Sequence, residues 1–216
     1  SNNGLDLGLS RYHNQIQGFE AVILEGEISN GKKLSKSCIV CHGEDFSGYE
    51  SERAPSLAQF SDWYLQSQLQ KFKHGIRGGD VNDSDGYAMK VLMQNYSFQQ
   101  IADLSAYISS LEPKNMVTTL VGDAKKGADL YKNCVSCHQA DGLGNKDLQA
   151  PKLAGLSDFY ILKQLNNFKG GIRGNGNGDK YGKLMQIYAN LLKDEQSMKD
   201  LAVYLTGLKP QISSSK

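Results

Sequence analysis

The feature that most constrains the fold of this 216-residue chain is an internal repeat. When the sequence is shifted by 96 residues against itself, Gly-Ile-Arg-Gly at 75–78 falls on an identical tetrapeptide at 171–174. Similarity at one fixed offset over most of the length predicts a tandem duplication of a unit of about 90 residues. Other coincident pairs are Gly31/Gly127, Leu57/Leu153, Tyr64/Tyr160, Gln68/Gln164, Phe72/Phe168 and Met89/Met185, after which the offset becomes 97.

The repeat also predicts where the two units begin and end. Unit one should span residues 27–111 and unit two residues 123–208. Pro113 stops the last helix of unit one, and the β-branched residues after it favour an extended linker. The remaining segments are an N-terminal extension, that linker and a C-terminal tail, at residues 1–26, 112–122 and 209–216. The extension has no counterpart in unit two, and its apolar side chains follow helical spacing, which predicts a helix: Ile16, Phe19, Val22 and Ile23.

Each unit has the pattern of short helices joined by polar loops, so an all-α fold is predicted. In unit one, helices are expected over 31–38, from Ser61 or Asp62 to 74, over 89–95 and over 97–111. Unit two should repeat this order, with Asp158 as one of the caps. No convincing strand pair is visible. A unit this small builds a thin core, so a bound apolar group would add much of the missing buried surface.

Two pentapeptides contain every cysteine of the chain and indicate what that group is. They are Cys38-Ile39-Val40-Cys41-His42 and Cys134-Val135-Ser136-Cys137-His138. C-x-x-C-H is the attachment motif of c-type haem, so the chain is predicted to carry two covalent haems, one in each unit.

Two other readings of the cysteine pairs fit less well. A zinc ribbon needs its two C-x-x-C pairs about 15–20 residues apart, whereas here 92 residues separate Cys41 from Cys134. A redox dithiol would need a strand–helix context that is missing, and it would leave the two histidines unexplained.

The iron ligands follow from the motif and the repeat. His42 and His138 are the expected proximal ligands. A second histidine is disfavoured, because the only others are His13 and His74, and the counterpart of His74 is Gly170. Methionine is the other usual ligand in electron carriers. Among the five methionines only Met89 and Met185 superpose, each 48 residues after its cysteine pair, so they are the expected sixth ligands.

Further residues are expected around each iron. Pro55 and Pro151 follow their histidines by 13 residues, and a carbonyl there can accept the Nδ1 hydrogen of the ring. Arg77 and Arg173, in the matching Gly-Ile-Arg-Gly loops, could pair with haem propionates. Solvent-exposed arginines are the alternative.

The net charge is +1, but the charged residues are unevenly distributed between the two halves of the chain. Residues 1–113 carry 9 basic and 14 acidic residues, a balance of −5, whereas residues 114–216 carry 15 and 9, a balance of +6. Such a dipole can orient a protein on redox partners, although ordinary solvated surfaces would also explain it. Dispersed lysines do not favour nucleic-acid binding. No apolar run approaches the roughly 20 residues of a membrane span.

Together these motifs resemble the cytochrome c4 family over about residues 27–208. The resemblance rests on C-x-x-C-H, Pro-x-Leu, Tyr-Leu-x-x-Gln-Leu-x-x-Phe-Lys, the methionine and a final amphipathic helix, all in duplicate. It implies two class I cytochrome c domains related by a pseudo-twofold axis, with haem propionates facing each other at the interface. It also implies His/Met ligation, on His42/Met89 and His138/Met185, and electron exchange between the two haems.

The expected function is therefore a periplasmic single-electron carrier rather than an enzyme, exported with a leader that this sequence lacks. Its partners would be a respiratory donor and a terminal acceptor such as an oxidase, and a peripheral membrane association is compatible with this. The alternative is the electron-accepting subunit of a specific dehydrogenase, for example in sulfur-compound oxidation. A dihaem enzyme is disfavoured, because catalysis needs an open or unusual iron and the two sites match.

Overall fold

The computed structural model describes residues 18–209, and these residues form two successive groups of helices. Within that range there is no β-strand, only the isolated bridges Tyr49–Ala54 and Asn145–Ala150, which are 96 residues apart. The first group of helices is α1 Ile28–Leu34 with a 3₁₀ turn Ser35–Ser37, α2 Ile39–His42, α3 Asp62–Lys73, α4 Ser84–Met93 and α5 Phe98–Ser109. The second is α6 Ala124–Tyr131, α7 Val135–His138, α8 Asp158–Lys169, α9 Lys180–Ala189 and α10 Glu195–Gly207.

Side-chain caps explain the starts of five of the ten described α-helices. Asp83 accepts the Gly86 N–H and begins α4 at Ser84, so this helix is longer than the turn predicted over 89–95. Ser97 and Gln100 form a reciprocal capping box at the start of α5. Asp158 is not the cap of α8, as the sequence predicted. Ser157 occupies that position, and the Asp158 carboxylate binds the linker instead.

In both units the first helix crosses the last one at very short distance. Gly31 of α1 lies against α5, and Gly127 of α6 lies against α10. A Cβ atom at Gly31 would lie 1.9 Å from the Asp103 carbonyl oxygen, and one at Gly127 would lie 2.1 Å from that of Asp200. The repeat therefore keeps glycine here because no side chain fits between the two backbones.

One buried carboxylate in each unit ties the start of the first helix to the last helix. The Asp103 Oδ1 atom accepts the Glu27 N–H at 2.8 Å, and the Asp200 Oδ1 atom accepts the Asp123 N–H at the same distance. The hydrogen bond from Asp123, helped by the Gln196 side chain, holds the pKa of Asp200 below its ordinary value.

This lowered pKa predicts an acid-dependent loss of stability. A carboxylate with a folded-state pKa below its unfolded value stabilises the fold above the unfolded pKa, and that contribution is lost as the pH falls through the folded one. We expect Asp200→Asn to cost about 1–3 kcal/mol at neutral pH and to weaken the fall in stability below about pH 4. Denaturant titrations across this pH range measure both effects. Asp147→Asn, at an exposed position, is the control, and equal pH profiles for the two variants would contradict the prediction.

The N-terminal extension is not helical where the structure describes it, so that prediction is wrong for residues 18–26. Residues 1–17 of the extension, including Ile16 of the predicted helix, lie outside the described residues, as do residues 210–216 of the predicted tail. The described segment is extended because its backbone groups bind side chains of α3 rather than one another. Gln70 bonds both the N–H and the C=O of Val22, and Gln66 bonds both backbone groups of Leu24.

The linker is extended, and it precedes α6 in the same way as residues 18–27 precede α1. Thr119 and Leu120 donate their backbone N–H groups to the Asp158 carboxylate at 2.6 and 2.8 Å. The Gln196 side chain donates to the Val121 carbonyl, just as Gln99 donates to the carbonyl of Glu25. The described part of the extension therefore has a structural counterpart in the linker, contrary to what the repeat predicted.

The two groups of helices pack together through α3 and α8. One continuous apolar cluster contains Phe60 and Leu65 from the first group and Ile161 and Leu165 from the second. Across this contact, the rings of Phe60 and Tyr160 lie 6.0 Å apart in an edge-on arrangement. None of the helices in the described range has the length and apolar character needed to cross a bilayer.

Candidate haem-binding sites

Each C-x-x-C-H motif forms a single helical turn. Cys38 and Cys134 are the N-caps of α2 and α7, and the histidine is the last residue of each helix. The N–H of His42 bonds the Cys38 carbonyl at 2.9 Å, and His138 bonds Cys134 in the same way. Residues three and four apart share one face of a helical turn, so both thiols and the imidazole of each motif lie on one side.

Both imidazoles are buried and oriented by a backbone carbonyl. The His42 Nδ1 atom lies 2.9 Å from the Pro55 oxygen, and the His138 Nδ1 atom lies 2.8 Å from that of Pro151. Because a carbonyl only accepts, Nδ1 must hold the hydrogen, and Nε2 is left with its lone pair. Burial lowers the pKa of both rings, against the opposing effect of this hydrogen bond, which favours the neutral form that binds metals.

A closed loop sets the 13-residue spacing between each histidine and its proline. The Gly48 N–H bonds the carbonyl of His42, and the Gly144 N–H bonds that of His138. Gly48 has a φ of 79°, and a Cβ atom there would lie 2.5 Å from the Ala54 carbonyl oxygen. The loop therefore turns back on itself at this glycine and brings the next carbonyl, that of Pro55, under the ring.

Each histidine faces a cavity that also contains a methionine. Met89 lines the cavity of the first unit together with His42 and Cys41, and Met185 lines that of the second together with His138. The other methionines lie elsewhere. Met93 and Met198 are buried in the apolar cores, and Met116 lies in the linker.

The cysteine pairs do not have the environment of a redox dithiol. Burial raises the pKa of the Cys38 thiol, and it raises that of Cys134 to about 11. Reactive C-x-x-C motifs show the opposite shift, because a thiolate is needed for exchange. Cys41 of the first pair and both cysteines of the second line different cavities, so the two pairs do not share one metal site.

Arg77 and Arg173 are buried at the contact between the two units, not exposed to solvent. Arg77 bonds Gln68 of its own unit at 2.9 Å and Gln164 of the other at 3.3 Å. Arg173 does the reverse, with Gln164 at 2.7 Å and Gln68 at 2.9 Å, which is the reciprocal pattern that a pseudo-twofold axis produces. Among the described residues, neither guanidinium forms an ion pair with a carboxylate.

Each unit closes the cavity of the other. The wall of the first cavity includes Tyr160, Lys163 and Gln164 from the second unit. The wall of the second cavity includes Tyr64, Gln68 and Lys71 from the first, and the Tyr64 hydroxyl accepts a hydrogen bond from Arg173 at 3.0 Å. The matched tyrosines and glutamines were visible in the repeat, and a position at the domain interface was one of the options for the tyrosines, but the sequence did not show which residues of the other unit they contact.

The residues present fit haem c. The first cavity offers the Cys41 thiol, and the second offers the thiols of Cys134 and Cys137. Each cavity also has an imidazole, a thioether, and walls of leucine and phenylalanine that match an apolar macrocycle. Among residues 18–209, the buried arginines have only neutral hydrogen-bond partners, which suits anionic groups such as propionates.

Comparison with known proteins agrees with this chemistry. The protein-family model described as Cytochrome c matches this chain twice, at residues 28–112 and at residues 124–209. Cytochrome c4 of Azotobacter vinelandii is 31% identical over 202 residues, which cover 85% of this chain and 90% of that protein. A thiosulfate dehydrogenase electron acceptor of Stutzerimonas stutzeri is 24% identical and covers 82% of this chain and 89% of its own length. The crystal structure of reduced cytochrome c4 from Pseudomonas stutzeri superposes with a TM-score of 0.68 and 29% identity, covering 85% of this chain and all of that one.

Proposed function

Because this chain belongs to the cytochrome c4 family, whose members are dihaem electron-transfer proteins, we propose that it is a periplasmic carrier of single electrons. In this proposal it accepts electrons from a respiratory donor and passes them to a terminal acceptor such as an oxidase. The two haems are covalently bound through the C-x-x-C-H cysteines, one pair in each domain. We also propose the domain limits 27–111 and 123–208.

The observation that carries the proposal is that both cavities contain a histidine and a methionine, so both iron sites can be filled by the protein. We assign His42 and Met89 to one iron, and His138 and Met185 to the other. When bound, haem iron supplies a one-electron couple, and a thioether opposite an imidazole favours its ferrous state. With the histidine and the methionine both bound to it, each iron would suit electron transfer and would have no coordination position open to oxygen or peroxide at rest.

The surrounding residues would hold this arrangement in place. The carbonyls of Pro55 and Pro151 keep the imidazole rings oriented and increase their basicity. Arg77 and Arg173 would bind the propionates, since each is buried and hydrogen-bonds only neutral groups in the part of the chain that the structure describes. Because the two arginines share Gln68 and Gln164, these contacts would bring the two haem edges together at the interface.

An oxidation experiment tests the carrier function. We expect the reduced holoprotein to be re-oxidised rapidly by membranes that contain a terminal oxidase, and to show negligible turnover with hydrogen peroxide. Stopped-flow absorbance of the haem bands measures both rates. Rapid peroxide turnover by the intact protein would contradict a pure carrier.

A second candidate function is supported by one relative, whose name is thiosulfate dehydrogenase electron acceptor. In this alternative the chain accepts electrons from one specific periplasmic dehydrogenase. The same stopped-flow measurement separates the two. Fast reduction by a thiosulfate dehydrogenase with its substrate, together with slow re-oxidation by oxidase membranes, would favour the alternative.

A further inference from the structure

One buried ion pair crosses the domain interface, and it is not repeated at the equivalent position of the other repeat. The Lys71 Nζ atom of α3 lies 2.6 Å from the Asp179 Oδ1 atom of the second domain, and the two side chains are 9% and 2% exposed. The repeat does not contain this pair twice. The counterpart of Asp179 is Asp83, but the counterpart of Lys71 is Asn167.

Asp179 is also the N-cap of the helix that carries Met185. Its Oδ1 atom accepts the Gly182 N–H at 3.0 Å and so begins α9. A Cβ atom at Gly182 would lie 2.2 Å from the other carboxylate oxygen, so the backbone closes tightly around the Asp179 side chain. Lys71 therefore binds the group that holds the first turn of the methionine helix.

The extended segment 18–27 also contacts the start of α9. On α3 it is held by Gln66 and Gln70, which are 0% and 1% exposed and satisfy both backbone groups of Leu24 and Val22. At its other end the Phe19 N–H bonds the carbonyl of Gly178 at 2.8 Å, directly before Asp179. The counterparts of the two glutamines are Leu162 and Asn166, so the second domain lacks this pair of glutamines.

Another charged contact accompanies this segment. The Glu20 carboxylate lies 3.2 Å from the Lys180 Nζ atom, at the first residue of α9. Three consecutive residues at the start of the methionine helix, 178–180, are therefore bound by the first domain or by the segment that precedes it. In the first domain, the helix that carries Met89 receives a more exposed contact, from Lys163 and Arg53 to Asp85.

We propose that Lys71, Gln66 and Gln70 are positioning residues of the second haem site: they hold the start of α9 against the first domain and so keep Met185 at the iron. The inference rests on the proposed ligand role of Met185. Breaking a buried pair leaves an uncompensated charge and is costly, whereas exposed pairs contribute little. Ligation by Met185 therefore depends on the interface more strongly than ligation by Met89 does.

The test uses the full-length ferrous holoprotein and proton NMR, in which the methyl group of each iron-bound methionine gives its own strongly shifted signal. Met89→His and Met185→His assign the two signals. Each test variant takes the residue that the other repeat has at the same position: Lys71→Asn, and the double variant Gln66→Leu with Gln70→Asn.

In guanidinium titrations we expect both variants to lose the Met185 signal at a lower denaturant concentration than the parent. For Lys71→Asn, the fraction of iron without Met185 should rise at least about tenfold at a fixed concentration. The Met89 signal should keep its midpoint. If both signals shift equally, or neither shifts, the inference is wrong.

A matched pair of cap variants provides the control. Asp179→Asn and Asp83→Asn both keep an oxygen that can cap the helix, but only the first removes an ion pair. We expect only Asp179→Asn to release its methionine early, and equal effects would overturn the proposal. If Lys71→Asn does not fold, the glutamine variants, whose side chains lie outside both cavities, decide the question. Absence of the Met185 signal in the parent would instead contradict the proposed ligation.

Discussion

Replacing Gly127 with alanine is expected to destabilise the second domain by roughly 3 kcal/mol. The new Cβ atom would lie 2.1 Å from the Asp200 carbonyl oxygen, and the nearby atoms belong to the backbone of α10 and to the base of the Tyr204 side chain. Backbone cannot rotate away as a flexible side chain can, so α6 and α10 would have to separate. Gly31→Ala should have the same effect on α1 and α5, where the corresponding distance is 1.9 Å.

Gly207→Ala is the matched control for this prediction. Gly207 is the last residue of α10, and a Cβ atom there would have no neighbour within 4 Å. Alanine is the better helix former, so this variant should be neutral or more stable by up to about 1 kcal/mol. Guanidinium titrations of the holoproteins by circular dichroism measure all three variants. Similar stabilities of Gly127→Ala and Gly207→Ala would show that the helix crossing is looser than the structure indicates.

The second large effect is expected from the two methionines that we propose as iron ligands. Met185→His should lower the reduction potential of one haem and remove about half of the methionine-to-iron charge-transfer absorption, because one of the two sites then has two imidazoles. Met89→His should do the same for the other haem. Axial ligands and their surroundings set haem potentials over a range of roughly 0.8 V, so the shift is measurable by a spectroscopic redox titration.

The control for these substitutions is Met198→Leu. Met198 is buried in the core of the second domain and does not line the cavity, and leucine has a similar volume. We expect it to cost less than about 1.5 kcal/mol and to leave both potentials and the absorption unchanged. If the charge-transfer absorption survives in the variant that combines Met89→His with Met185→His, other residues ligate the irons.

Local features of the site were predictable from the sequence. The contact of His42 with Pro55 lies within a single loop, and its geometry depends on nearby residues such as Gly48. The helix α5, which follows the capping residue Ser97, was predicted close to its observed limits for the same reason. Short-range hydrogen bonds leave a signature in adjacent residues.

Contacts between distant segments were not predictable in this way. Residues 18–27 have apolar side chains at helical spacing, yet their backbone is extended because Gln66 and Gln70 satisfy it from a helix more than 40 residues away. For Arg77 and Arg173, exposure and propionate binding were both open. Only the packing of α3 against α8 buries them.

The sequence by itself determined what the two domains have in common: one haem motif each, matched histidines and methionines, and the same order of helices. A repeat makes such features visible because each position is observed twice. The tertiary structure alone decided what distinguishes the domains. Lys71 and Asp179 lie 108 residues apart in different copies of the repeat, and the counterpart of the lysine is an asparagine. The two residues of such a contact occupy non-equivalent positions of the repeat. Aligning the two copies compares only equivalent positions, so it cannot detect the contact.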